Sequence, residues 1–375
     1  MSGAVAILVA KGAQDQVLTG PQPEISFFRS NFKRHVNFSQ AVLSQVVTGT
    51  TAANDVSVVE FTKKGDLLSY VYLTKKVNGT LQPTITSQDI KQVELLIGDQ
   101  VVDTMTTDQL VSLRNFNERY PRTFRGTEDS NGNLGFENLY HYPLGFFFCE
   151  AWSACIPLIA LQYHSVRVRI TWGPGATSSD VYECWTNYVY LDTDERDFAT
   201  RKRDILIYQH QESPTGRDLM FNNPVSFIFG KAGVTDIFGK NSPNITDTIK
   251  LQINGTDIVE EKELVPHYTI LPTMYHTLFG KWDVNPPISN VHVAKDPGET
   301  MVIDVEFDKE KATNVSFMYP FGLSCSSFQP TGSCNFSRLD SVKLISSSPI
   351  VKPIYARNYN ILRIDNGMGG ILFGN

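Results

Sequence analysis

Polar and apolar residues alternate with a period of two over much of this chain. Arg167 and Arg169 separate Val166, Val168 and Ile170; Val302, Asp304 and Glu306 separate Met301, Ile303, Val305 and Phe307. Successive side chains of a strand point to opposite faces, so this alternation marks strands with one face in a core. The same reading places short strands at Val56–Phe61, Leu67–Leu73, Val93–Ile97, Asn187–Leu191, Val225–Phe229 and Ile249–Ile253. Turn signals fall between them at Asn78-Gly79, Asn131-Gly132, Gly173-Pro174-Gly175, Asn254-Gly255 and Pro297-Gly298. Helical periodicity is scarce. Its best instance is Thr107–Arg119, where Thr107 is placed to cap and Leu110, Leu113 and Phe116 share a face. Many short strands joined by turns predict an all-β chain of sandwiches or barrels.

The pattern is duplicated. VELLIGDQVVD (Val93 to Asp103) parallels IKLQINGTDIVE (Ile249 to Glu260), each a strand, a tight turn and a strand. HSVRVRI (His164 to Ile170) parallels DSVKLI (Asp340 to Ile345), and NYVYLDTD (Asn187 to Asp194) parallels NYNILRID (Asn358 to Asp365). The second copies follow about 155 to 175 residues later, too long for a solenoid repeat and suited to a duplicated domain. The charged run Arg201-Lys202-Arg203-Asp204 lies between the copies. The expected domains are therefore residues 25–200 and 201–375, each with room for the eight strands of a jelly roll.

Residues Met1–Glu24 are expected to form an N-terminal arm. The apolar stretch Ala4 to Ala10 (AVAILVA) is far shorter than the ~18 residues of a membrane span and has no basic segment before it, unlike a signal peptide. It reads as a buried strand or arm. GAQDQVLTG (Gly12 to Gly20), followed by Pro21 and Pro23, reads as an extended arm rather than a helix.

Composition supports a folded chain of two domains. Of 375 residues, 41% are hydrophobic and 19% charged, below the roughly 25% charged share of soluble domains, which argues against disorder. The 23 Phe, 15 Tyr and 4 Trp suit strand-rich cores. A net charge of −6 argues against a surface built to bind nucleic acid. Cys149, Cys155, Cys184, Cys325 and Cys334 form no CxxC pair and match no zinc spacing. They read as reduced, mostly buried thiols, with a Cys325–Cys334 bridge as the alternative.

No catalytic, cofactor-binding or metal residue is expected. HExxH, GxxxxGK[ST] and GxSxG are all missing. His35, His141, His164, His210, His267, His276 and His292 are scattered, and Val291-His292-Val293 lacks the His-x-His pair of a cupin-type metal site. Asp192, Asp194, Glu195 and Asp197 could bind a cation, but without a glycine-punctuated loop they read as a solvated linker face. Gly367, Gly369 and Gly370 read as a tight turn rather than a phosphate cradle, since no helix follows them. In EISFFRSNFKRHVNF (Glu24 to Phe38), Phe27, Phe28, Phe32 and Phe38 interleave with Arg29, Lys33, Arg34 and His35. That composition suits either an exposed stacking platform for nucleic acid or a strand with core aromatics and paired cations. The acidic balance favours the strand. Arg114, Arg119, Arg122 and Arg125 are candidates for an interface. Six N-x-[ST] sequons, at Asn37, Asn78, Asn244, Asn254, Asn314 and Asn335, read as turn chemistry.

Taken in order, several segments resemble one family. GAQDQVLTG running into EISFFRSNFKRHVNF is similar to the N-terminal signature of the major capsid proteins of nucleocytoplasmic large DNA viruses. HYPLGFFF (His141 to Phe148) and IPLIALQYHSVRVRI (Ile156 to Ile170) resemble the end of that family's first domain. QPTGSCNFSRLDSVKL (Gln329 to Leu344) and YARNYNILRIDNGMGG (Tyr355 to Gly370) resemble its C-terminal signature. Cys149 to Cys155 (CEAWSAC) and Ser324 to Ser327 (SCSS) depart from the family's pattern. The resemblance implies two tandem eight-stranded antiparallel jelly-roll β-sandwiches with short helices in the connecting loops. It implies a structural protein, not an enzyme, that forms homotrimers of nearly hexagonal outline tiling an icosahedral shell among neighbouring capsomers. It implies an arm facing minor capsid proteins and the internal membrane, no direct contact with nucleic acid, and a place in the virion after assembly in the host cytoplasm. The loops Pro121–Tyr142 and Ser324–Ser333 become candidates for the outer top or for contacts between chains. The alternatives are a minor capsid protein of the same fold and a carbohydrate-binding or metal-dependent jelly-roll protein.

Overall fold

Three Asn-Gly pairs, Asn78-Gly79, Asn254-Gly255 and Asn366-Gly367, take positive φ at both residues. Asn and Gly tolerate that left-handed region where most side chains clash, so each pair turns its strands back as a tight hairpin. The computed structural model describes residues 3–19, 22, 24–28, 34–114, 126–128, 134–136, 140–214, 216–230, 247–277, 288–294, 302–307, 317–350 and 353–374. It divides into two compact units, Met1–Asn37 and Phe38–Asn375.

The first unit contains helices α1 (Gly3–Val9) and α2 (Ala13–Leu18), which corrects three expectations. The AVAILVA stretch is neither a strand nor buried: Ile7, Leu8 and Val9 are all exposed. A helix satisfies its hydrogen bonds within itself, whereas a strand needs a partner. GAQDQVLTG holds a helix because Asp15 reaches back to the Gly12 N–H at 2.7 Å, closing the first turn and placing a negative charge at the helix start. Glu24–Phe28 is irregular rather than a strand, and Phe27 and Phe28 are fully exposed. There the Phe28 N–H turns onto the Ser26 hydroxyl at 3.3 Å, a local bond that competes with strand pairing.

The second unit begins with β1 (Phe38–Gln45), β2 (Val47–Gly49), β3 (Val56–Glu60), β4 (Leu67–Val77), β5 (Thr80–Leu81) and β6 (Ile85–Thr86). The hairpin of β7 (Ile90–Ile97) and β8 (Gln100–Thr106) leads into helix α3 (Thr107–Arg114). Next come β9 (Gly126–Glu128), β10 (Leu134–Phe136), β11 (Tyr142–Pro143), helix α4 (Phe147–Glu150), β12 (Ile156–Pro157), β13 (Val166–Trp172) and β14 (Val181–Leu191). Helix α5 (Thr193–Thr200) joins this set to β15 (Arg203–Ser213). After it run β16 (Pro224–Gly230), β17 (Thr248–Ile253), β18 (Thr256–Asp257), β19 (Lys262–Glu263) and helix α6 (Leu271–Tyr275). The described elements end with β20 (Ile288–Ala294), β21 (Val302–Phe307), β22 (Met318–Pro320), β23 (Cys334–Asn335), β24 (Val342–Ser346), β25 (Ile354–Asp365) and β26 (Met368–Ile371).

The sheets are antiparallel and repeat one plan. One sheet runs β1-β14-β4-β11, with β12 also on β4; its counterpart runs β15-β25-β16-β22, with β23 also on β16. Facing them are β2-β3-β13-β7-β8 and a smaller sheet in which β17 pairs with β24, β18 and β19. Register repeats too. Val166 stands opposite Ile97 and Val168 opposite Leu95, as Val342 stands opposite Ile253 and Leu344 opposite Leu251. The short strands β12 and β23 are both followed by one 3-10 turn, Leu158–Ala160 and Phe336–Arg338. The duplication therefore extends beyond the segments whose sequences are alike.

Two apolar clusters form the interior. One fills the first sheet pair and continues onto Ile207, Tyr208, Phe227, Phe229 and Tyr355 of the second. The other holds Val225, Ile228, Ile249, Leu251, Leu344 and Ala356. On β16, Phe227 and Phe229 thus face the first half, and Ile228 faces the second half's own core. The central strands of this sheet are buried on both faces, which removes the alternation a half-exposed strand would show. Helix α3 forms as expected through Arg114, but its cap is different. Thr106 Oγ1 accepts the Gln109 N–H at 3.2 Å, while Thr107 sits inside the helix and contacts Ile90 O and the Tyr142 hydroxyl. Phe116 and Arg119 lie outside the described residues.

Candidate functional site

Among the described residues, those singled out from the sequence are spread over separate elements. Asp192 caps α5 and Asp194 and Glu195 lie in its first turn, with Asp197 one turn further on; Asp192 Oδ1 accepts the Thr193 N–H at 2.7 Å. Negative charge at a helix N-terminus is favourable in itself, and no group of three or more His, Cys, Asp or Glu suited to a metal exists among the described residues. Gly367 and Gly369 shape the β25–β26 hairpin, and His164 Nδ1 lies 2.9 Å from Gly369 O. Arg34 and His35 are exposed in the first unit. Phe32, Arg29, Lys33, Arg119, Arg122 and Arg125 lie outside the described residues. Ser324–Ser333 is tied inward: the Tyr208 hydroxyl donates to Ser327 O and Phe328 O, and Phe328 packs edge-on against the Tyr208 ring. The five cysteines are free thiols. Burial raises the pKa of Cys155 to about 11 and those of Cys184 and Cys325 to about 12, so they stay protonated and unreactive at neutral pH.

What the structure does bring together is a seam between the two halves. Strand β8 of the first half meets β15 of the second. Asp103 accepts the His210 backbone N–H at 2.8 Å on one oxygen and contacts His210 Nδ1 at 2.9 Å on the other. Both side chains are fully buried. Beside this pair, Gln209 Nε2 donates to Val102 O at 2.5 Å, and Asn360 Nδ2 donates to Gln209 Oε1 at 2.8 Å. The register of β15 on β25 sets His210 opposite Arg357, and Arg357 bonds Glu150 at the end of α4. The Arg357 guanidinium also lies 3.7 Å from the Tyr208 ring centre, a cation–π contact. Burial opposes the charge on Arg357, but Glu150 outweighs it and the guanidinium is held above its ordinary pKa. In both pairs the first half supplies the acid and the second half the base.

The Asp103–His210 pair has the composition of a catalytic dyad but not its access. It is sealed from solvent, and among the described residues no hydrogen-bonding group meets His210 Nε2. A general base must reach the proton it removes, so this pair can only join strands. Sequence reasoning did not find Asp103, Glu150, His210 or Arg357. A signal existed for two of them: single charges inside the apolar runs FFFCEAW and IYARNYNIL, where an unpaired charge would be costly.

Comparison with known proteins agrees with this architecture. Residues 26–192 match the family model described as "Major capsid protein N-terminus". The chain is 30% identical to the major capsid protein of Pyramimonas orientalis virus over 408 aligned positions covering 100% of both chains. It is 25% identical to the major capsid protein of Paramecium bursaria Chlorella virus 1 over 472 positions, again covering 100% of both. Among solved structures, PBCV-1 VP54 as fitted into a reconstruction of the virophage Sputnik is similar with a TM-score of 0.69 at 21% identity, covering 93% of this chain and 100% of that one. The shared fold is the double jelly roll.

Proposed function

Because the chain belongs to the family of major capsid proteins of nucleocytoplasmic large DNA viruses, we propose that it works as a structural shell protein, three copies of which close about a threefold axis into one capsomer. The observation that carries this reading is the repeated sheet order, β1-β14-β4-β11 and β15-β25-β16-β22. Two similar rolls per chain and three chains give six similar corners, hence a nearly hexagonal outline, and hexagons tile the faces of an icosahedral shell. The seam supports the same role, since paired buried charges and shared aromatics lock the rolls into one block that can bear load. Function on this reading lies in contact surfaces and not in catalysis.

On this reading the chain comprises an arm over residues 1–24 and rolls over 25–200 and 201–375. The arm exposes Ile7, Leu8, Val17 and Leu18 and suits docking onto minor capsid proteins or the internal membrane. Neighbouring capsomers are the other partners, and the acidic chain makes no direct contact with the genome. The protein resides in the virion shell and is assembled in the host cytoplasm. Light scattering on the purified protein tests the reading. Three chains of 42.0 kDa give about 126 kDa for a closed cyclic trimer. A monodisperse monomer across high concentrations and varied salt would overturn it.

A further inference from the structure

We propose that in the assembled trimer the exposed face of β1 is covered by the β17–β18 hairpin of a second copy of this chain, with Val42 meeting Ile258. This rests on the trimer reading above and names the surface that closes it. The partner surface is identified by the repeat itself. Strands β1 and β15 occupy the same edge of their sheets, each paired to the last long strand of its roll. The shared Asn-Tyr of β14 and β25 fixes the correspondence. Asn187 stands opposite Val42 and Thr186 opposite Leu43; Asn358 stands opposite Gln209 and Arg357 opposite His210. Val42 is therefore the counterpart of Gln209, and Leu43 of His210.

On the other side of the seam, Val102 and Asp103 are the third and fourth residues after the turn Gly98-Asp99. The third and fourth residues after Asn254-Gly255 are Ile258 and Val259. Within the chain, the first roll's hairpin closes on β15, leaving Gln209 2% and Val102 1% exposed. Their counterparts are open: Val42 is 51% exposed and Ile258 53%. Two apolar residues thus stand uncovered at the two positions that the seam, repeated once more around the ring, brings together. The intrachain seam is polar, with Asp103, Gln209 and His210, whereas all four counterparts are apolar. A seam made during folding can bury hydrogen-bonded polar groups in fixed register. One formed by separate copies gains from apolar area removed from water. Each copy offers one β1 face and one β17–β18 hairpin, so the contact is head-to-tail and closes after three copies.

Light scattering and oxidative cross-linking of the full chain test this. Val42→Asp and Ile258→Asp should each weaken trimerisation at least about thirtyfold, the size of an interface hot spot, without lowering the urea midpoint of the monomer, because both side chains are at the surface. The double variant Val42→Cys with Ile258→Cys should give covalent trimers on non-reducing gels under mild oxidation, and neither single variant nor the unmodified chain should. A trimer that survives both Asp substitutions and yields no cross-link would overturn this pairing and leave the trimer standing. An unmodified chain that stays monomeric would overturn the trimer itself.

Discussion

Arg357 and Glu150 hold opposite charges in a place water hardly reaches, with 4% and 12% of their side chains exposed. Breaking such a pair costs more than replacing it, because the remaining charge stays buried. Arg357→Met should lower stability by about 3–5 kcal/mol, read as a fall in the urea midpoint, and Arg357→Met combined with Glu150→Leu should recover much of that loss. Equal losses for the single and double variants would show that packing, not charge, dominates there. Gly173 is a second sensitive residue. A Cβ at this position would lie 2.1 Å from the Gln88 carbonyl oxygen, and backbone cannot swing aside as a side chain can. Gly173→Ala should cost about 1–3 kcal/mol through overpacking, seen as a lowered thermal midpoint.

At the scale of elements, the period-two pattern and the Asn-Gly pairs were enough to place β3, β4, β7, β13, β16 and β17 within a few residues, since strand alternation and hairpin turns are local properties. The helices were less legible. Sequence spacing gave the capping role to Thr107, whereas Thr106 carries it, because the neighbouring hydroxyl is drawn into the core toward Ile90 and Tyr142. Thr106→Ala should therefore destabilise α3 by about 1 kcal/mol, measured by urea unfolding. A value near zero would mean the 3.2 Å contact contributes nothing. Helices α1 and α2 escaped the sequence reading because each spans barely two turns, too few residues for a periodic signal.

For the molecule as a whole, stability should fall as the solution becomes strongly alkaline. Lys75 is ion-paired with Asp89 at 2.5 Å and Asp180 at 3.1 Å. Burial opposes its charge, but the hydrogen bonds and fields of the two aspartates outweigh it and raise its pKa above 10.5. A group whose folded pKa is raised stabilises fully below its unfolded pKa and loses that contribution as pH climbs through the folded value. Burial likewise raises the Tyr188 and Tyr268 phenols from 10.0 to about 12, so they add to the loss above pH 10. The urea midpoint should begin to fall near pH 9.0, where the Cys155, Cys184 and Cys325 thiols ionise in the unfolded chain but not in the folded one, and fall more steeply above pH 10.0 as the phenols join; Lys75→Met should show a shallower decline in that upper range. An identical slope in that variant would remove Lys75 from the account.

Sequence by itself determined what depends on neighbours along the chain: the strands, the hairpin turns, the duplication, and through the quoted segments the family. Asp192 to Asp197 read as a solvated linker face, whereas the structure forms helix α5 there, with Asp192 as its cap. The tertiary structure decided what depends on residues far apart in sequence. Asp103 meets His210 and Glu150 meets Arg357 only because β8 and α4 of one half lie against β15 and β25 of the other. No periodicity encodes such a meeting, since burial makes both faces of those strands alike. Exposure is also a property of the folded whole: Phe27 and Phe28 read as core aromatics, yet both are exposed, and Val42 reads as an ordinary strand valine until its buried counterpart Gln209 shows what an edge of this fold does when it is closed.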